Sequence, residues 1–151
     1  MRSPNENLFP LQILLVEDNP GDVMLMQEAI KDYKLANELV VVSDGEAALA
    51  YVRNEPPYDD APRPDLVLLD LNLPLLDGRA VLEAIKNDER TSTIPVVIMT
   101  SSDSEIDILR SYQLRANCYV TKPMGFDQFV EVVRSIESFW LTIVHLPPRA
   151  P

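Results

Sequence analysis

The residues with the most chemistry in this 151-residue chain sit directly after short apolar runs. Glu17 and Asp18 follow Ile13–Val16, Asp70 follows Leu66–Leu69, Thr100 and Ser101 follow Pro95–Met99, and Lys122 follows Cys118–Thr121. Three carboxylates in one crevice would repel: two unit charges about 4 Å apart cost about 4 kcal/mol at an effective dielectric near 20. A raised pKa or a hard divalent cation can offset that cost. Lys122 supplies a single positive charge, and the oxygen donors suit Mg²⁺ or Mn²⁺ rather than Zn²⁺. The same set suits phosphoryl transfer. An aspartate can be the nucleophile, a lysine and a metal neutralise the moving oxygens, and the Thr100 hydroxyl can donate to one of them. Backbone N–H groups near Asn72 and Ser101 can hold the others.

Elements of alternating type must bring these residues together. The apolar runs at Ile13–Val16, Leu39–Val42, Leu66–Leu69, Pro95–Met99 and Cys118–Thr121 are too short for buried helices and read as strands. Between them lie helical patterns. Asn19-Pro20 opens a helix carrying Val23, Met26, Ile30 and Tyr33, Asp44-Gly45 opens one with Ala48, Leu49 and Val52, and Asp77 caps one with Val81, Leu82 and Ile85. Ser102 or Asp103 is expected to start a helix with Ile106, Leu109 and Tyr112, and a last helix is expected from about Gly125 to Trp140. Strand–helix alternation implies an α/β fold with a doubly wound, five-stranded parallel sheet. Ligands in such sheets bind at the carboxyl ends of the strands, beside the switch point. In the flavodoxin-like order 2-1-3-4-5 that point lies between the first and third strands, where Glu17, Asp18 and Asp70 would meet.

Composition narrows the classes. The chain has 13 Lys+Arg against 24 Asp+Glu, a net charge of −11, and no basic run, which argues against nucleic acid and anionic membrane surfaces as partners. Cys118 and His145 each stand alone, so no internal disulfide and no Cys or multi-His zinc cluster can form. Apolar stretches break well before 18 residues, and the expectation is a cytoplasmic protein. Residues 1–11 read as a flexible arm, 12–141 as one domain with an extended C-terminal helix, and 142–151 as an apolar, then Pro-rich tail.

With the strand ends in view, the chain resembles the receiver domain of two-component response regulators. The likeness rests on Leu14-Leu15-Val16-Glu17-Asp18-Asn19, on Leu68 to Gly78 with Asp70 and Asn72 inside it, on Ile98-Met99-Thr100-Ser101, and on Tyr119-Val120-Thr121-Lys122-Pro123. It covers about Gln12 to Trp140. The resemblance implies that Asp70 is the phosphoacceptor, Asp18 a direct Mg²⁺ ligand, Glu17 its acidic neighbour acting through water, and the Asn72 carbonyl a further ligand. It implies that Lys122 pairs with the acceptor and then the phosphoryl group, that Thr100 is the switch hydroxyl with Ser101 beside it, and that Tyr119 is a rotating aromatic coupled to Thr100. Lys122-Pro123 would be a cis bond, for which proline lowers the cost to about 0.5–1 kcal/mol.

A finer resemblance is to single-domain regulators paired with phytochrome histidine kinases, carried by the Pro-containing loop before the third strand, by Ala116 to Pro123, and by Phe139 to Val144. It implies a sensor histidine kinase upstream and a phosphorylation switch on the fourth helix, fifth strand and fifth helix. We expect no output domain after residue 151, so the signal would leave through an unidentified downstream protein or by a phosphorelay. Arg115 stands where the family usually has glycine. Phe139, Trp140, Ile143 and Val144 are too closely spaced for one helical face to bury them all, and we expect them in a homodimer contact. The rival reading is a small Mg²⁺-dependent phosphohydrolase with an aspartyl-phosphate intermediate, which needs a second Asp where this chain has Asn72.

Overall fold

The structure is a computed structural model and describes residues 11–31, 37–101, 104–116 and 118–121. Strands β1 (Leu11–Val16), β2 (Asn37–Val42), β3 (Leu66–Leu69), β4 (Val96–Thr100) and β5 (Cys118–Thr121) alternate with helices α1 (Pro20–Lys31), α2 (Gly45–Val52), α3 (Gly78–Asn87) and α4 (Glu105–Gln113). All paired strands run parallel, in the order β2-β1-β3-β4-β5 expected from the sequence.

The unbroken apolar runs have a simple cause. Every residue of β3 and β4 is buried, because side chains leave the strand alternately toward the two faces and both faces are covered. Leu14, Val16, Val67, Leu69, Val96 and Ile98 join Ala48, Leu49, Val81, Leu82 and Ile85 in one core, between the sheet and helices α2 and α3. The alternate residues Ile13, Leu15, Leu66, Leu68, Val97 and Met99 are buried too, as is Met26 of α1.

Capping fixes where the helices begin. The Asn19 side chain accepts from the Asp22 amide at 3.1 Å, just ahead of Pro20 in the first helical position. Asp44 accepts from the Ala47 amide at 2.7 Å, and Asp77 from the Arg79 amide at 2.8 Å. Several boundaries differ from expectation. Strand β1 starts at Leu11, two residues before its apolar run and within the arm expected over residues 1–11, because Leu11 and Gln12 pair with Asn37 and Glu38 of β2. Helix α4 opens at Glu105 rather than at Ser102 or Asp103, because Ser104 takes the cap position and its carbonyl accepts from Ile108 at 3.0 Å. Strand β2 starts at Asn37, two residues before its apolar run. It is an edge strand, and the Gln12 side chain reaches Glu38 at 3.0 Å from β1.

The long loop after α2 is organised by its own contacts. The Asn54 side chain donates to the carbonyls of Tyr58 at 3.2 Å and Ala61 at 2.7 Å, and Tyr58 packs edge-on against Tyr51. Its Pro56–Pro57 bond is cis. The cis bond expected at Lys122–Pro123 lies outside the described residues, as do the last helix and Phe139, Trp140, Ile143 and Val144.

Arg115 accounts for its own place. Its φ is +70°, a left-handed conformation that suits glycine and costs other residues about 1–2 kcal/mol. Its guanidinium donates to the Lys86 carbonyl at 2.6 Å and to Asn87 Oδ1 at 2.7 Å, tying the chain ahead of β5 to the end of α3. There Lys86 is itself buried and donates to the Ile94 carbonyl at 2.8 Å. Burial pushes its ammonium pKa down to about 8, and the Arg115 charge adds to the shift. The hydrogen bonds of Arg115 thus offset its backbone strain. We expect Arg115→Ala, which keeps the strain and loses the bonds, to destabilise by about 1–2 kcal/mol in urea unfolding, while Arg115→Gly, which loses both, stays within about 1 kcal/mol of wild type.

Candidate functional site

Strands β1 and β3 lie side by side, with Val16 opposite Leu69, so the residues that follow them emerge together. The ladder continues one step past the strands: the Glu17 amide donates to the Val42 carbonyl and the Asp70 amide to the Val16 carbonyl, each at 3.0 Å. These bonds fix the backbone beneath the acids. Ligand oxygens of Glu17, Asp18 and Asp70 then lie within 4.8 Å of one another. Asp70 and Glu17 are buried, only 6% and 3% exposed, while Asp18 is open to solvent. With Leu15, Met26, Leu68 and Met99, the two buried acids line one recess on the α1 side of the sheet.

Two backbone amides orient the acids. Asn72 donates to Asp70 Oδ1 at 3.1 Å, and Asn19 donates to Glu17 Oε1 at 3.1 Å. Asn72 itself is exposed. Thr100, at the end of β4, is fully buried, and Ser101 beyond it is exposed. Tyr119 is half-buried and packs against the core cluster, opposite Ile98 in the β4–β5 register. The same register sets Thr121 opposite Thr100. Lys122 comes next in sequence and lies outside the described residues.

Glycine makes the approach of the β3–α3 loop possible. A Cβ on Gly78 would stand 2.2 Å from the Asp70 carbonyl oxygen, and one on Gly45 would stand 2.2 Å from that of Leu76. Any side chain at either place would push the loop away from the acids. Sequence reasoning marked neither residue as part of the site, although only four glycines occur in the chain. Besides capping α1, Asn19 holds Glu17 through its backbone amide, a role that its place in the sequence does not reveal. Arg79 pairs with both Asp77 and Asp107, joining the first turn of α3 to α4. That contact spans 28 residues and leaves no local pattern in the sequence.

Three carboxylates this close, two of them shielded from water, fit a hard divalent cation held by oxygen donors. The fold agrees with comparison to known proteins. The sequence matches the response regulator receiver domain over residues 13–134. The chain belongs to this family. It is similar to the response regulator Rcp1 of Synechocystis sp., 46% identical over 143 residues, which are 95% of this chain and 97% of Rcp1. It superposes on the phosphorylated cyanobacterial phytochrome response regulator RcpA with a TM-score of 0.90 and 48% identity, covering 93% of this chain and all of that one. The response regulator RPA3017, from red-light signalling in R. palustris, aligns with a TM-score of 0.85 and 34% identity over 93% of this chain and 99% of its own. This receiver domain is thus a relative of phytochrome response regulators. Among its described residues no helix is long and apolar enough to cross a membrane.

Repulsion at the rim has a measurable consequence. Without divalent cations, Asp18→Asn removes a like charge and raises receiver stability by about 1 kcal/mol, a value reduced by the exposure of Asp18. With a millimolar divalent cation the order is expected to reverse, because an ion at this site would stabilise wild type more than the variant. Thermal unfolding with and without EDTA checks both signs.

Proposed function

We propose that this receiver domain accepts a phosphoryl group on Asp70 from the phosphohistidine of a sensor histidine kinase. The observation that carries the reading is the pairing of a buried, amide-oriented Asp70 with Glu17 and Asp18 at the switch point of the sheet. Mg²⁺ is the ion proposed here, held by Asp18, Asp70 and the Asn72 carbonyl, with Glu17 acting through water. The relative Rcp1 has a crystal structure with Mn²⁺ bound, which supports a divalent ion of this kind. When bound, the ion would neutralise the acidic rim and the phosphoryl oxygens.

An Asp70 carboxylate oxygen attacks phosphorus in line. The new O–P bond forms as the N–P bond to histidine breaks, leaving an acyl phosphate on Asp70 and a free imidazole. The Asn72 amide, already on Oδ1 at 3.1 Å, keeps the nucleophile aimed. Lys122 and the Thr100 hydroxyl follow the transferred oxygens, with Ser101 beside them, and Tyr119 moves into the space that Thr100 leaves. That shift biases α4, β5 and the following helix between two states, with a coupling of about 1–3 kcal/mol. The working unit is residues 12–141, flanked by the arm and tail.

Likeness to RcpA and Rcp1 makes a phytochrome the proposed kinase. The outward face of α4 carries exposed Ile106, Leu109 and Tyr112 at three-residue spacing, apolar surface that supports a homodimer including Phe139, Trp140, Ile143 and Val144. The signal would pass to a further protein, or the phosphoryl group would move on in a phosphorelay. A phosphohydrolase is disfavoured because Asn72 stands where that chemistry needs its second acid.

Mixing the protein with acetyl phosphate and Mg²⁺ tests the reading by intact mass. Wild type is expected to gain one phosphoryl group and Asp70→Asn none. Labelling of both would move the acceptor elsewhere, and rapid turnover of unrelated phosphomonoesters would favour the hydrolase.

A further inference from the structure

Helix α4 rests in a seat that works partly against itself. Ile106, Leu109 and Tyr112 on its outward face are exposed, while Ser111 in its last turn is fully buried. Among the described residues the Ser111 hydroxyl has no hydrogen-bond partner. A hydroxyl that has given up water and gained no partner opposes the packing that buries it. Such groups are uncommon in folded proteins and mark strain or a working part. The seat therefore leans on contacts elsewhere along the helix.

One such contact starts beside Asp70. The Gly78 amide donates to the Leu71 carbonyl at 2.9 Å, and Gly78 lies against the Asp70 carbonyl. Arg79 follows directly. Its amide donates to Asp77 Oδ1 at 2.8 Å, and its Nη1 donates to both Asp77 carboxylate oxygens at 3.2 Å. Backbone and guanidinium are thus held at the start of α3, and Nη2 is left to donate to Oδ1 of Asp107, the third residue of α4. The Arg79 and Asp107 side chains are only 25% and 19% exposed, whereas Asp77 and Arg90, each in an ion pair of its own, are mostly open to water. Shielding from water strengthens the Arg79–Asp107 attraction and makes loss of one partner costly.

We propose that the Arg79–Asp107 ion pair is a strap that holds α4 in this seat against the unpaired Ser111 hydroxyl, and that α4 leaves the seat when Asp70 is phosphorylated. This rests on the reading of Asp70 as phosphoacceptor. The strap runs from the acid loop through the first turn of α3 to the first turn of α4, a path that does not pass through Thr100 or Tyr119. A contact made in one seat and lost in the other shifts the equilibrium between them. By linkage, it weakens phosphoryl binding by the factor by which it favours the strapped seat. Ser111 acts in the opposite sense, since departure frees its hydroxyl to find a partner.

Asp107→Asn, Arg79→Gln and Ser111→Ala test the strap in the full chain with Mg²⁺. Amide hydrogen exchange reads the seat, and fluorine NMR of bound beryllofluoride, which mimics the phosphoryl group, reads the linkage. Before beryllofluoride is added, α4 amides are expected to exchange at least about fivefold faster in both strap variants and more slowly in Ser111→Ala, with β3 and β4 unchanged. The half-saturating beryllofluoride concentration is expected to fall at least about fivefold in both strap variants and to rise in Ser111→Ala. Unchanged or weaker beryllofluoride binding in either strap variant overturns the strap and leaves the pair a contact for stability alone. Faster exchange in β3 and β4 as well as α4 overturns it too, as general loosening, and so does tighter binding by Ser111→Ala. A wild type that takes beryllofluoride with no change in α4 exchange overturns the strap and leaves Asp70 as acceptor. A wild type that takes none overturns the reading of Asp70 itself.

Discussion

Mutual repulsion among Glu17, Asp18 and Asp70 is the constraint on which the rest of this structure turns. Carboxylates do not gather within 4.8 Å, two of them buried, unless the backbone forces them together. Here the parallel β1–β3 pair does so. Val16 and Leu69 sit in register, ladder bonds run one residue beyond them, and the sheet is clamped by apolar burial on both faces. Hydrophobic packing of the strands thus supplies the work of holding charge against charge. The cluster fits a divalent cation, and a cation bound there would offset the charge that repels an incoming anion.

The loops around the acids follow from the same requirement. Close approach of the β3–α3 loop needs Gly78 against Asp70 and Gly45 against Leu76. With those contacts made, the Asn72 amide reaches Asp70, and Arg79 is carried to α4, where it meets Asp107. A change at the acid rim therefore has short covalent and polar routes to the surface of α4.

Much of this was legible in the sequence. β1, β3 and β4 are visible because burial on both faces leaves the runs Ile13–Val16, Leu66–Leu69 and Val96–Met99 without a polar residue, and Asn19, Asp44 and Asp77 announce their helices through local capping chemistry. The acids could be found because they terminate apolar runs. What stayed hidden depends on distance along the chain. Arg115 could be seen to replace a glycine, but its hydrogen bonds to the end of α3 reach back 28 and 29 residues. Lys86 looks like any solvated lysine on a helix, yet the carbonyls of Ser92 and Ile94 hold it inside. The start of β2 is polar because it is an edge strand, and periodicity passes over it.

Diffraction from crystals grown with Mg²⁺ and beryllofluoride, a phosphoryl mimic, would show whether the three acids gather around an ion and whether Asp70 takes the phosphoryl group. One metal ion is expected at about 2.0–2.1 Å from oxygens of Asp18, Asp70 and Asn72, with beryllium bonded to Asp70. An ion bound away from all three acids, or beryllofluoride on any other residue, would contradict this arrangement.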